Sequence, residues 1–251
     1  MKIKLTFLAL ILMASTASIM QAAPTAVKVS SDPWEPWVIG EDGKEATKGI
    51  AVEITREIFR RLNIPVEIRI YPYERCLQQM KTGERDILLM VKKTPEREQF
   101  LLFTQAASED PQMLYYNPEK KGSFEWNDWK DLEGTTVGIV RGFNYGDFTK
   151  SASNYKIKQE VVSADAQNLQ KLLAGRIDFT IMNRSTARYY LETNPGHKGK
   201  LQAASRIISE AQFHIAISKK GAATGYLQQI DNVLTEMKKD PDWRRKMGFA
   251  E

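Results

Sequence analysis

The sequence has few residues of the types that form covalent cross-links, metal centres and nucleophilic sites. Its 251 residues include one cysteine, Cys76, and two histidines, His197 and His214. A single cysteine excludes an intrachain disulfide, so the hydrophobic core has to hold the fold together. Cys76 falls on the apolar side of a predicted helix, which favours a buried, inert thiol over a reactive one.

Motifs of the common catalytic and cofactor sites are also missing. The sequence contains no Gly-x-Ser-x-Gly elbow, no His-Glu-x-x-His pair, no cysteine cluster and no phosphate-binding loop. We therefore predict no catalytic residue, no metal and no cofactor. The net charge is +5, with basic residues scattered among acids rather than aligned in a stripe. This pattern argues against a nucleic-acid partner.

Long apolar runs are confined to the first residues of the chain. Lys2 and Lys4 precede an apolar segment, Leu5–Met13, and small residues dominate from Ala14 to Ala23. This order is typical of a cleavable export signal, here residues 1–23, and predicts a periplasmic protein. An uncleaved membrane anchor is the alternative, but Thr, Ser and Gln dilute the span below the ~20 apolar residues that a membrane helix needs.

Apolar residues at helical spacing alternate with short apolar runs along the rest of the chain. The first half predicts a helix over Ile50–Leu62, a strand over Val66–Ile70, a helix over Tyr73–Lys81 and a strand over Asp86–Val91. The second half continues in the same way, with Ala164–Ala174 as a helix between predicted strands. Such alternation predicts an α/β protein with mainly parallel sheets flanked by helices.

One helix–Gly–strand unit occurs twice. Leu77–Met90 reads LQQMKTGERDILLM and Leu169–Met182 reads LQKLLAGRIDFTIM, with the Gly and the Asp in register. The repeat predicts two lobes of similar architecture. We expect the chain to cross between them twice, so that residues 24–113 and 214–251 form the first lobe and residues 114–213 form the second.

Short motifs in a fixed order resemble the family 3 bacterial solute-binding proteins, which have the type II periplasmic binding fold. Pro72-Tyr73-Glu74-Arg75 resembles a branch of that family with a Pro-aromatic-x-Arg segment. The other landmarks are Trp34-Glu35-Pro36-Trp37, Gly49-Ile50-Ala51-Val52-Glu53, Gly83-Glu84-Arg85-Asp86, Thr94-Pro95-Glu96-Arg97, Phe103-Thr104, Asp131-Leu132-Glu133-Gly134-Thr135-Thr136-Val137-Gly138, Gly175-Arg176-Ile177-Asp178 and Ile215-Ala216-Ile217.

The resemblance implies two lobes that close on a small molecule, commonly an amino acid delivered to a membrane transporter. By position, Trp34 corresponds to the aromatic residue that stacks on the ligand in this family, and Tyr73 corresponds to a second aromatic residue that lines the site. Arg97 matches the arginine that clamps the ligand carboxylate, a task that suits a guanidinium group. A surface ion pair between Arg97 and Glu96 or Glu98 is the alternative.

The sequence departs from the family pattern where an amino acid would be held. Met90-Val91-Lys92-Lys93 stands where the family usually has a loop with Ser or Thr. Asn183 stands in place of the acid that holds the α-ammonium group, and Asn144 lies close to a position where the family usually has Thr. A neutral amide cannot neutralise a buried ammonium. The backbone amides of 142–144, at an expected helix start, could also meet an anion.

The predicted cleft is rich in cationic and aromatic residues, which favours a ligand with a carboxylate and some flat or apolar surface. Solvated loop charges at Lys92 and Lys93 are the alternative. The complete set of predicted ligand-binding residues is Trp34, Trp37, Tyr73, Arg75, Met90, Lys92, Arg97, Arg141, Phe143, Asn144 and Asn183.

These features predict a periplasmic protein that captures an amino-acid-like or other carboxylate for ABC-type import or for sensing. Its expected partners are the small molecule and an inner-membrane permease or sensor. One alternative is a dehydratase-like enzyme on the same fold, for which Glu35 is the only acid that the sequence suggests. Another is a sensory partner of a membrane protein, switched by the ligand.

Overall fold

The computed structural model describes residues 25–248, so the predicted export signal lies outside the described residues. Within this range no helix combines the length and the apolar character needed to cross a bilayer. Ten strands form two five-stranded sheets. The strands are β1 Val27–Ser31, β2 Val66–Ile70, β3 Ile87–Val91, β4 Leu101–Glu109, β5 Gln112–Tyr116, β6 Thr136–Val140, β7 Lys158–Val162, β8 Phe179–Asn183, β9 Gln202–Ser209 and β10 Gln212–Ser218.

Helices flank both sheets. They are α1 Ile50–Leu62, α2 Tyr73–Thr82, α3 Pro95–Glu98, α4 Pro118–Lys121, α5 Phe148–Asn154, α6 Asp165–Leu173, α7 Arg184–Thr193, α8 Leu227–Lys239 and α9 Pro241–Lys246, with 3₁₀ turns at Trp129–Leu132, Pro195–His197 and Thr224–Tyr226. Helix α1 buries Ile54 and Ile58 against the first sheet. Helix α2 ends at Gly83, whose φ of 79° is the left-handed conformation expected at a helix end.

The two sheets have the same topology. The first runs β2-β1-β3-β10-β4 and the second runs β7-β6-β8-β5-β9. The sequence repeat occupies equivalent places in them, as α2–β3 and α6–β8. Its aspartates do the same work, because Asp86 accepts the backbone N–H of Lys28 at 2.8 Å and Asp178 accepts that of Thr136 at 2.8 Å. Each carboxylate thereby fixes the start of its strand to the neighbouring strand.

The prediction of mainly parallel sheets is only half right. In each sheet two strand pairs are parallel and two are antiparallel. The antiparallel pairs involve β4, β5, β9 and β10, which carry the chain between the sheets. The chain changes sheet at Asp110-Pro111 and at Glu210-Ala211, slightly before the predicted lobe boundaries at residues 113 and 213. We call these two segments, with the strand ends beside them, the chain crossings.

The segment 124–132 contains the 3₁₀ turn Trp129–Leu132, and Trp126 and Trp129 are buried packing residues. In the segment that follows, a local prediction differs from the structure. The loop after β6 was expected to open a helix at once, yet α5 begins at Phe148. Gly142 and Gly146 both have positive φ, and Asn144 Oδ1 accepts the N–H of Gly146 at 3.2 Å, so this segment forms turns instead.

Candidate ligand-binding cleft

The cleft between the two sheets contains a narrow cavity of about 20 Å³, which is room for about one water molecule. The side chains that enclose it come from the ends of β1, β3 and β8, from α2 and α3, from the loop after β6 and from the chain crossings. They are Asp32, Trp34, Tyr73, Met90, Lys92, Arg97, Gln112, Phe143, Asn144, Asn183 and Phe213. The lobes are thus closed on each other.

Arg97 points into this cavity because α3 turns it inward. Thr94 Oγ1 accepts the N–H of Arg97 at 3.3 Å as the helix cap, and Arg97 is only 8% exposed. Its guanidinium donates to the carbonyl oxygens of Lys92 at 2.9 Å and of Gly142, in the other lobe, at 3.0 Å. The guanidinium carbon lies 5.4 Å from the ring centroid of Tyr73.

The surface ion pair considered for Arg97 does not form. Glu96 accepts the hydroxyl of Thr94 at 2.9 Å, and Glu98 pairs with exposed Lys93 at 2.9 Å. Within residues 25–248 no carboxylate forms an ion pair with Arg97. Its hydrogen bonds therefore go only to backbone carbonyls, and Asp32, in the same cavity, interacts with its charge without forming an ion pair.

Lys92 reaches across the cleft to the second lobe and to both chain crossings. Its Nζ donates to Gln112 Oε1 at 2.9 Å, to Ser209 Oγ at 3.1 Å and to the carbonyl of Asn144 at 3.2 Å. All three acceptors are neutral. Burial lowers the pKa of Lys92 to about 8, and the charge of Arg97 adds to the effect. Lys92 is thus a partly buried cleft residue, whereas Lys93 is a surface charge.

Asp32 is a buried acid in the same cavity that the sequence analysis did not select. It follows β1 directly and is 4% exposed. Burial raises its pKa to about 7, although a hydrogen bond from its own backbone and the charge of Arg97 act in the other direction. Its position just after a strand, at the edge where α/β sheets bind ligands, is the signal that could have identified it.

Aromatic rings from both lobes interleave across the cleft. The ring centroids of Trp34 and Phe143 lie 6.1 Å apart, and those of Tyr73 and Phe143 lie 5.2 Å apart. Trp34 Nε1 also donates to Thr186 Oγ1 of the second lobe at 2.9 Å. Edge-on aromatic contacts of this kind stabilise the closed arrangement of the lobes.

Met90 and Asn183 complete the cavity from the ends of β3 and β8. Met90 has φ 52°, a left-handed conformation that residues with side chains rarely adopt. Asn183 is buried and its Nδ2 donates to the carbonyl of Asp110 at 2.7 Å. The amide therefore serves to tie β8 to the chain crossing.

Three predicted site residues lie outside the cavity. Trp37 is buried behind it, where its Nε1 donates to Ser185 Oγ at 2.9 Å. Arg75 is exposed and stacks 4.5 Å over the ring of Tyr71. Arg141 is exposed just after β6. The sequence analysis missed Asp32, Gln112 and Phe213, of which the last two belong to the strands at the chain crossings.

The described residues offer no obvious metal or nucleophilic centre. No group of three or more His, Cys, Asp or Glu side chains within 25–248 could hold a metal ion. His197 stacks on Tyr190 at the surface, and His214 Nδ1 meets the carbonyl of Thr104 at 2.8 Å. Cys76 is buried, and burial raises the pKa of its thiol, which keeps it unreactive.

Known proteins share this architecture. The L-cystine-binding protein TcyA of Bacillus subtilis (strain 168) is 23% identical over 207 residues, which cover 82% of this chain and 74% of TcyA. An ancestral arginine-binding protein bound to arginine superposes with a TM-score of 0.74 at 21% identity, covering 88% of this chain and 96% of the other.

Two further structures superpose similarly well. The GluR0 ligand-binding core from Nostoc punctiforme with L-glutamate gives a TM-score of 0.73 at 17% identity, covering 88% and 96% of the two chains. A histidine kinase sensor domain similar to periplasmic binding proteins gives 0.75 at 18% identity, covering 90% and 96%. These likenesses establish the fold. Residues 27–247 match the bacterial extracellular solute-binding proteins, family 3, and the chain belongs to that family.

Proposed function

We propose that this protein captures a small carboxylate-bearing molecule by closure of its two lobes and releases it to an inner-membrane permease or sensor. The observation that carries the proposal is the pair of cations in the closed cleft, Arg97 and Lys92, whose hydrogen bonds all go to neutral acceptors. A buried charge without a counter-ion is costly, and an anionic ligand would supply one.

The charge of the cleft favours an anion over a cation. Among the described residues, Asp32 is the one acid that lines this cavity, and its pKa of about 7 leaves it only partly ionised at neutral pH. Arg97 remains fully charged and Lys92 mostly so, since its pKa is about 8. The net charge of the lining is therefore positive.

The relatives favour a carboxylate as well. The protein from Bacillus subtilis is named for binding L-cystine, and two of the similar structures contain arginine and L-glutamate. All three ligands carry an α-carboxylate. Asn183 offers no negative charge for an α-ammonium group, so we propose that the ligand of this protein is bound mainly through its carboxylate. Export by residues 1–23 to the periplasm is part of the proposal.

The test is ligand binding by the mature chain and by three arginine variants. A thermal-shift screen of amino acids, dicarboxylates, aromatic acids, amines and short peptides would identify a ligand. We expect Arg97→Ala to weaken its binding by ~2–5 kcal/mol, because the variant removes the counter-charge of a buried anion. Arg141→Ala and Arg75→Ala remove the same charge outside the cavity and should bind normally, as isothermal titration calorimetry can measure. Equal affinities for all three variants would contradict the proposal.

Acid–base catalysis is the second candidate, because one observation favours it. Asp32 and Lys92 line one cavity with pKa values of about 7 and about 8, near those that proton transfer requires. Nuclear magnetic resonance spectra of the ligand after prolonged incubation separate the two functions. An unchanged ligand supports binding alone, whereas conversion that Asp32→Asn abolishes would support catalysis.

A further inference from the structure

A second cavity, of about 130 Å³, lies beside the first between the two lobes. Trp34 lines both cavities and forms their shared wall. The first lobe contributes Glu35, next to Trp34. The second lobe contributes Asp165 from α6 and Tyr189 and Tyr190 from α7. Within residues 25–248, no hydrogen bond joins these second-lobe residues to Arg97 or Lys92.

Asp165 is the unusual residue of this second cavity. It is only 9% exposed, and its Oδ1 atom is buried without a hydrogen-bond partner in the described part of the chain. No cation pairs with it within residues 25–248. Burial raises its pKa to about 7, and the charge of Asp32 adds to the effect. A buried carboxylate oxygen without a partner costs free energy in the folded protein, so a ligand that supplies a donor would be favoured there.

The surroundings of Asp165 suit a cation. Trp34, Tyr189 and Tyr190 add aromatic rings to the lining, and aromatic rings attract ammonium and guanidinium groups. Glu35 adds a second carboxylate to the lining. Asp165 is also the first residue of α6, where the helix dipole stabilises a carboxylate in its ionised form. The second cavity is thus acidic and aromatic, whereas the first is cationic.

Resting on the proposed function, we infer that the second cavity is a subsite for a cationic group of the ligand, bound by Asp165 while the ligand carboxylate is bound by Arg97 and Lys92. The ligand is then an elongated molecule with a carboxylate at one end and an ammonium or guanidinium at the other. The part of the ligand between its two charged ends then passes the indole ring of Trp34. This assignment gives the second lobe an anionic contact for the ligand at a place other than Asn183.

The experiment compares two probe series that differ in one terminal group. Isothermal titration calorimetry would measure ω-amino carboxylates from aminobutanoate to aminooctanoate against the ω-hydroxy carboxylates of the same lengths. We expect at least one amino compound to bind about tenfold or more tightly than its hydroxy counterpart. Asp165→Asn should abolish this preference. Glu192→Gln, which removes an exposed charge from α7 outside the cavity, should retain it.

The outcomes separate the subsite from the proposed function. Equal binding of both series, weakened alike by Arg97→Ala, overturns the subsite and leaves the carboxylate site standing. A preference that persists in Asp165→Asn also overturns it. Absence of Arg97-dependent binding by every carboxylate overturns both. The comparison within the wild-type protein needs no variant, so the inference stays testable even if Asp165→Asn does not fold.

Discussion

Asp32, Lys92 and Arg97 lie together in one closed cleft, and the pKa values of Asp32 and Lys92 depend on how the lobes are arranged. Lys92 and Arg97 have hydrogen-bond partners in the opposite lobe or at the chain crossings. Asp32 is buried without an ion pair among residues 25–248, and its pKa is raised accordingly. Opening of the lobes would return water to all three groups. Closure therefore changes the charge state of the cleft as well as its shape.

The raised pKa of Asp32 predicts how stability responds to pH. The unfolded chain loses this proton near pH 3.8 and the folded protein near pH 7, so the folded state binds more protons between these values. The contribution of Asp32 to stability is therefore lost as pH rises from about 4 to about 7. We expect Asp32→Asn to be more stable than the wild type at pH 8, by roughly 2–4 kcal/mol, and nearly equal to it at pH 4. Thermal unfolding across this range checks the prediction; a difference that does not vary with pH would contradict it.

At the scale of elements, local patterns predicted most of the fold. The helices α1, α2 and α6 and the strand β3 lie close to where the apolar pattern placed them, because each helix buries one face and β3 is an apolar run buried at every residue. Strands β4 and β9 were not predicted. Their sequences, LLFTQAASE and QAASRIIS, do not alternate regularly between apolar and polar residues, so they lack the pattern that predicts a strand.

The dependence on local patterns also explains which residues of the site the sequence could predict. Eight of the eleven predicted residues line the cavity, since they follow strands or sit at family motifs. Arg75 does not, because it lies two residues after Tyr73 on α2 and side chains at that spacing face different directions. Gln112 and Phe213 were missed because they enter the cavity through strands that cross between the sheets.

The repeated aspartates make an element-scale prediction. Asp86 accepts two backbone N–H groups, from Lys28 at 2.8 Å and Ala222 at 2.7 Å. Asp178 accepts one, from Thr136, and its other oxygen meets Lys121 at 3.1 Å in a partly exposed ion pair. We expect Asp86→Asn to lower the free energy of unfolding by roughly 1–3 kcal/mol, because its amide group leaves one N–H without an acceptor. Asp178→Asn should cost less, since exposed ion pairs contribute little. Equal losses in urea denaturation would show that the two positions do not differ in this way.

At the scale of the whole molecule, closure depends on a close approach between the loop after β6 and helix α2. Gly142 lies in that loop with φ 78°, and its carbonyl oxygen accepts a hydrogen bond from the guanidinium of Arg97. A side-chain carbon at this position would come within 2.6 Å of Glu74 Oε1 and 3.0 Å of Tyr73 Cδ1, both in the first lobe. Glycine therefore permits the contact that shuts the cleft over Arg97.

Alanine at position 142 should favour the open arrangement of the lobes. Gly146→Ala is the matched control, since Gly146 also has positive φ, 65°, but no atom lies within 4 Å of the added carbon. Both variants should lose roughly 1 kcal/mol or more of stability through backbone strain. Only Gly142→Ala should increase the radius of gyration in small-angle X-ray scattering and weaken ligand binding, because only there does the new methyl group meet the opposite lobe. If both variants open the molecule equally, backbone strain in the loop, and not the contact with Tyr73 and Glu74, controls closure.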